Sequence, residues 1–165
     1  KLFEILKSAS NSDKTIFIAG NGGSAALSDH FATDWCKGIF EMSKVNLRVI
    51  SLNSNLSLIT ALGNDFDFES VFCKQLEYLG KSGDILVCIS GSGNSKNLIS
   101  AISYANLHDI NTFSISGFGG GRISEISNNS LIVDSSDMQI LEDVFSSVGH
   151  YIFKLFTSES FKYNS

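Results

Sequence analysis

The sequence predicts an α/β domain built as a three-layer sandwich, with a five-stranded parallel sheet flanked by helices. Three observations carry this. Short β-rich runs alternate with amphipathic stretches along the chain. Several of those runs are apolar almost without a break, as strands covered on both faces must be. The chain has 165 residues and shows neither linker nor internal repeat, so it has room for one well-buried core, a single domain over 1–165.

Strands are expected at 15–19 (TIFIA), 47–52 (LRVISL), 85–90 (ILVCIS), 112–116 (TFSIS) and 130–133 (SLIV). Helices are expected between them at 24–37, 56–62, 68–79 and 95–107. A closing helix over 138–156 places Ile140, Leu141, Val144, Val148 and Ile152 at helical spacing. Residues 2–7 read as the tail of a further helix that begins before Lys1.

Composition narrows the function classes. Apolar residues make up 43% and charged residues 18%, the balance of a globular chain rather than a disordered one. Twelve basic against 17 acidic residues give a net charge of -5 with no basic face, which argues against nucleic acid as a partner. No apolar run reaches the roughly 20 residues of a membrane span. Cys36, Cys73 and Cys88 are odd in number and form no CxxC pair, so they read as reduced, buried thiols of a cytoplasmic protein.

Two strand ends break into loops of one kind. The first strand runs into Gly20-Asn21-Gly22-Gly23-Ser24 and the third into Ser90-Gly91-Ser92-Gly93-Asn94-Ser95, each directly before a helix. Small residues let the backbone approach an anion, and a helix N-terminus offers unpaired N–H groups with a partial positive charge. Ligands of open parallel sheets collect at the carboxyl ends of the strands, so two such loops together point to a phosphate. Neither contains the Gly-Lys-Ser/Thr of a P-loop. Gly20, Gly22 and Ala25 match a dinucleotide fingerprint, but the second strand ends Ser51-Leu52-Asn53-Ser54 without the acid that holds a ribose, so no nucleotide cofactor is expected.

His30 and Asp34 stand four apart on one helix face, a spacing for two metal ligands, an acid/base pair or an ordinary surface hydrogen bond. Glu142, Asp143 and His150 lie on the closing helix, where Glu142 and His150 are about 12 Å apart along the axis and can straddle a site. Gly63-Asn64-Asp65-Phe66 reads either as a helix C-cap and turn or as a place where Asn64 and Asp65 bond sugar hydroxyls. A third glycine-rich loop, Gly117-Phe118-Gly119-Gly120-Gly121, reads as a flexible connection before a short helix at Arg122 rather than as a loop that reaches a ligand.

Taken in order, GNGGSAALSDHFA, ALGNDFDFE, CISGSGNSKN and QILEDVFSSVGH resemble the SIS (sugar isomerase) domain family, and within it the phosphoheptose isomerases. The resemblance implies a flavodoxin-like SIS fold. It also implies an aldose–ketose isomerase that converts sedoheptulose 7-phosphate to D-glycero-D-manno-heptose 7-phosphate for bacterial surface polysaccharide, lipopolysaccharide or capsule. It assigns substrate contacts to Asn21, Gly22, Gly23, Ser24, Asn64 and Asp65, and phosphate binding to Ser90, Gly91, Ser92 and Ser95. It places Zn²⁺ among His30, Asp34, Glu142 and His150, with Asp34 as base, His150 as its acid/base partner and Glu142 also touching substrate. A homotetramer is implied, with sites completed by neighbouring subunits and a longer N-terminal helix.

Four positions depart from the family pattern. Asp34 stands where glutamate is usual and Glu142 where glutamine is usual. Cys36-Lys37-Gly38 replaces a TGR segment, and Gly91 replaces a threonine. These leave open a non-catalytic SIS protein that senses a sugar phosphate or scaffolds a partner, and an isomerase of another sugar phosphate.

Overall fold

A computed structural model describes residues 1–158. Strands β1 (Thr15–Gly20) and β3 (Ile85–Ser90) are buried along their whole length, and their alternating side chains feed two cores. Ile16, Ile18, Ile85, Val87 and Ile89 point into one; Phe17, Ala19, Leu86 and Cys88 point into the other. That alternation follows from the period of two in an extended chain. Each large apolar side chain so buried contributes roughly 1.5–3 kcal/mol.

All five expected strands form, with β2 at Arg48–Ser51, β4 at Asn111–Ser116 and β5 at Asn129–Ile132. They pair in the order β2-β1-β3-β4-β5, parallel throughout. The first core is closed by helices α1 (Leu2–Ala9), α2 (Gly23–Thr33), α3 (Ile39–Ser43) and α8 (Met138–Thr157). The second is closed by α4 (Leu56–Asp65), α5 (Val71–Leu79), α6 (Lys96–Leu107) and α7 (Gly121–Ile126). The chain leaves β1 for one edge and returns to pair β3 on its other side. The loops after β1 and β3 therefore open side by side at a topological switch point.

Four local expectations are corrected. The helix expected over 24–37 is interrupted: α2 ends at Thr33, a π-helical turn spans Asp34–Gly38, and α3 follows. Trp35, fully buried within that turn, and Gly38, on which the Phe153 ring rests, hold the wider geometry in place. Helix α4 continues to Asp65 and is capped at Phe66, whose N–H bonds Leu62, so Gly63 and Asn64 are helical rather than a C-cap. Helix α5 begins only at Val71, because Asp67 turns the chain by accepting hydrogen bonds from the Ser70 N–H and hydroxyl at 2.7 and 2.8 Å. Of the three free thiols only Cys88 is buried, which pushes its pKa up; Cys36 is exposed and Cys73 half-buried.

One carboxylate ties the sheet together at the end away from the loops. Asp84 is fully buried and accepts hydrogen bonds from Thr15 N–H (2.8 Å) and Lys81 N–H (2.9 Å), joining the start of β1 to the turn before β3. Asp84→Ala strands both amides and is expected to destabilise the fold by about 3 kcal/mol, read from the urea midpoint. A change below about 1 kcal/mol would show that the carboxylate is dispensable.

Candidate active site

At the switch point a cavity of about 280 Å³ is lined by Asn21, Gly23 and Ser24 from the first loop and by Ser90, Gly91, Ser92 and Ser95 from the second, with Met138 and Glu142 of α8. Gly22, the N-cap of α2, has φ +56°, a conformation that favours glycine, and so turns the first loop into the helix. Ser24 and Ser90 are buried, and Ser90 Oγ accepts the Gly93 N–H at 3.1 Å and lies 3.5 Å from Ser95 Oγ. Hydroxyls and helix-start amides thus converge without a permanent positive charge, an arrangement suited to an oxyanion. A wider groove of about 550 Å³ lies between the outer face of α2 and β2, beside Cys36, Lys37 and Ile50, and holds neither glycine loop.

Two side chains that the sequence analysis gave no role, Asn53 and Asn97, fix the loops. Asn53 clamps Gly20 from both sides, accepting its N–H at 3.1 Å and donating to its carbonyl at 2.8 Å. Asn21 and Asn97 form a reciprocal amide pair, 2.9 Å in each direction, that joins the first loop to α6. The only sequence signal for either was an asparagine beside a recognised loop.

The third glycine loop is a buttress and not the flexible connection expected. Its Gly117 N–H bonds Gly91 (3.0 Å), Ile123 N–H bonds Gly93 (2.9 Å), and the Arg122 N–H bonds the Asn94 side chain (3.0 Å). Gly93 has φ +68°, and a Cβ there would overlap the carbonyl oxygen of Gly120.

About two helical turns along α2 and α8 from this cavity, three donors converge. His30 Nε2 lies 2.9 Å from His150 Nε2 and 3.5 Å from Asp34 Oδ2, and His150 Nε2 lies 3.9 Å from the same oxygen. All three ligand atoms fall within 4.8 Å of one another, a group that can hold a metal ion. The His30, Asp34 and His150 side chains are 45%, 30% and 54% exposed, so all three are open to solvent.

Three residues expected at the site stand apart from this trio. Glu142 does not join it; its carboxylate lies in the serine-loop cavity, occupying the space any side chain on Gly23 would need. The partial positive charge at the start of α2 attracts it there. Asn64 and Asp65 bond each other at 2.9 Å and are exposed on α4, outside the cavity lining.

The model of the SIS domain matches residues 1–117. The phosphoheptose isomerase of Campylobacter concisus is 42% identical over 130 residues, 79% of this chain and 68% of that protein. This chain belongs to the SIS domain family, in its phosphoheptose isomerase branch. The phosphoheptose isomerase of Dechloromonas aromatica is 48% identical over 111 residues, and there the match spans 67% of this chain but only 56% of the relative. The solved structure of a phosphoheptose isomerase from Neisseria gonorrhoeae superposes with a TM-score of 0.81 at 33% identity, over 95% of this chain and 81% of that one.

Within the SIS fold two departures find a physical setting. At Gly91, where the resemblance led to the expectation of a threonine, the Met138 thioether fills the space a side chain would use. Lys37, one position before an expected arginine, lines the outer groove beside β2 and not the serine-loop cavity.

Gly93→Ala forces an L residue into left-handed backbone and onto Gly120. A loss of about 2–3 kcal/mol is expected in thermal unfolding. An unchanged melting temperature would show that the two loops do not depend on this contact.

Proposed function

We propose that the chain is a sugar-phosphate aldose–ketose isomerase that interconverts sedoheptulose 7-phosphate and D-glycero-D-manno-heptose 7-phosphate. One observation carries this reading: a carboxylate–imidazole trio stands on the same pair of helices as an anion cavity, seven residues from Gly23 to His30, or about 10 Å. An open-chain sugar anchored by its terminal phosphate in the serine loops reaches from one to the other. The names of the relatives agree with it.

The reaction moves one hydrogen between neighbouring carbons. Asp34 takes the proton from C1 of the ketose while His150 delivers a proton to the C2 carbonyl oxygen, giving a cis-enediol. Return of a proton to C2 and loss of the O1 proton yield the aldehyde. General acid–base assistance of this kind is worth about 10²–10⁴ in rate. Asp34 is one methylene shorter than the family's glutamate, so the sugar must sit closer to α2.

Two imidazoles and a carboxylate also suit Zn²⁺. Their mutual distances of 2.9, 3.5 and 3.9 Å bracket the roughly 3.4 Å edge that a tetrahedral ion with bonds near 2.1 Å requires. His30, Asp34 and His150 would hold the ion, with Glu142 reaching it only by a change of rotamer. When bound it supplies a Lewis acid for the carbonyl oxygen.

A homotetramer in the cytoplasm completes the reading. Exposed Ile140 and Tyr151 on α8 give it apolar surface to cover, and Asn64 and Asp65, displayed away from their own cavity, are available to a neighbour. No helix among the described residues is long and apolar enough to cross a membrane.

The deciding experiment is incubation of the chain with sedoheptulose 7-phosphate, with and without Zn²⁺. Aldose product supports the isomerase, whereas ligand-induced stabilisation without turnover would establish the sensor alternative.

Ser92→Ala with Ser95→Ala removes two hydroxyl donors, each worth roughly 1.5–3 kcal/mol toward a charged group. Calorimetry is expected to show sugar-phosphate affinity falling at least tenfold, and unchanged affinity would remove the phosphate assignment. His30→Ala is expected to lower zinc content in elemental analysis while leaving the circular dichroism spectrum intact. Wild-type zinc content in this variant would refute His30 as a ligand.

A further inference from the structure

The three polar residues of the trio share a feature of chain placement. His30 is followed by Phe31, Asp34 is followed by Trp35, and His150 is preceded by Gly149. On a helix, neighbouring residues point about 100° apart, so a polar residue facing the groove has a chain neighbour facing the core. Those three neighbours form a single buried clamp. The Phe31 and Trp35 rings stack with centroids 5.1 Å apart at 18°, and both are fully buried. Gly149 lies against them, and a Cβ there would overlap the Phe31 ring. The Trp35 indole N–H donates to the Gly149 carbonyl at 3.1 Å, across 114 residues of sequence.

We propose that Trp35 is a positioning residue: it holds α8 against α2 at Gly149, so that His150 meets His30 and Asp34. The ring sets the distance between the helices, and the hydrogen bond sets the rotation of α8 about its axis. A buried indole N–H needs an acceptor, and the Gly149 carbonyl satisfies it only in this orientation. The π-helical turn that starts at Asp34 carries Trp35 inward while the carboxylate beside it stays in the groove. Other contacts bring α8 near α2, including Phe153 over Gly38 and Phe31 against Gly149, and the Trp35 bond adds a directional hold on the peptide unit adjoining His150. The inference rests on the isomerase reading for its purpose, while its test reads geometry directly.

The chain has three histidines, so its imidazole spectrum is simple. In metal-free protein with labelled histidine, a nuclear Overhauser cross-peak is expected between the His30 and His150 rings, whose centroids are 5.2 Å apart. Trp35→Phe keeps an aromatic ring against Phe31 and removes the donor. The cross-peak is expected to weaken at least threefold, while His108, stacked on Tyr104 beside α6, keeps its shifts as an internal control. If the wild-type chain turns over sedoheptulose 7-phosphate, the same variant lowers kcat about tenfold with KM within twofold. A His30–His150 cross-peak at wild-type intensity in folded Trp35→Phe would overturn the proposal. A measurement without mutation stands beside it. The Trp35 indole proton should exchange with solvent at least a hundredfold more slowly than a free indole, and exchange at the free rate would overturn the proposal equally. Absence of turnover by the wild type would sink the isomerase reading and leave these ring contacts as they are.

Discussion

Helix α8 can lie on α2 only because side chains are missing where the two meet. Gly23 leaves room for the Glu142 carboxylate, Gly149 for the Phe31 ring, and Gly38, just past α2, for the ring of Phe153. The three contacts follow one another in the same direction along both segments, so the helices run together as parallel neighbours. The pair closes the first core, and it also carries the cavity residues Gly23, Ser24, Met138 and Glu142 together with His30 and His150. A methyl group at Gly149 alone would drive the pair apart at the height of the histidines. Packing density in the interior thereby becomes a condition on the distance between His30 and His150.

At the phosphate end the same economy is achieved with backbone. The loop after β3 is held by main-chain hydrogen bonds from the glycine loop after β4, and the loop after β1 is held by Asn53. Donors fixed before a ligand arrives lose little entropy when it binds, which is how short neutral side chains can serve in place of charged ones.

Much of this was legible in the sequence, and the remainder was hidden for identifiable reasons. The unbroken apolar runs of β1 and β3 and the serine–glycine strand ends declared both the layering and the anion cavity, because strand burial and loop chemistry are local properties. The i,i+4 pair His30 and Asp34 was visible as one face, and His150 met it from a helix more than a hundred residues away as the resemblance implied. The π-helical turn at Asp34 was not visible, since no residue type in 34–38 marks one and its Trp35 finds an acceptor 114 residues away on α8. The buttress at 117–121 read as a flexible loop because glycine signals both freedom and close approach, and only the partner at Gly93 separates the two. Glu142 was expected with the histidines from the family resemblance, yet its carboxylate lies at the start of α2, away from them.

The cavity's lining has a kinetic consequence. Among the described residues, no lysine or arginine lines it, and its one ionisable side chain is the carboxylate of Glu142. In the proposed function the ligand is a dianion, which a formal net charge of -5 repels at long range and helix-start amides and hydroxyls attract only at close range. On that reading added salt, by screening the repulsion, speeds arrival where it would slow the approach to a lysine-lined pocket.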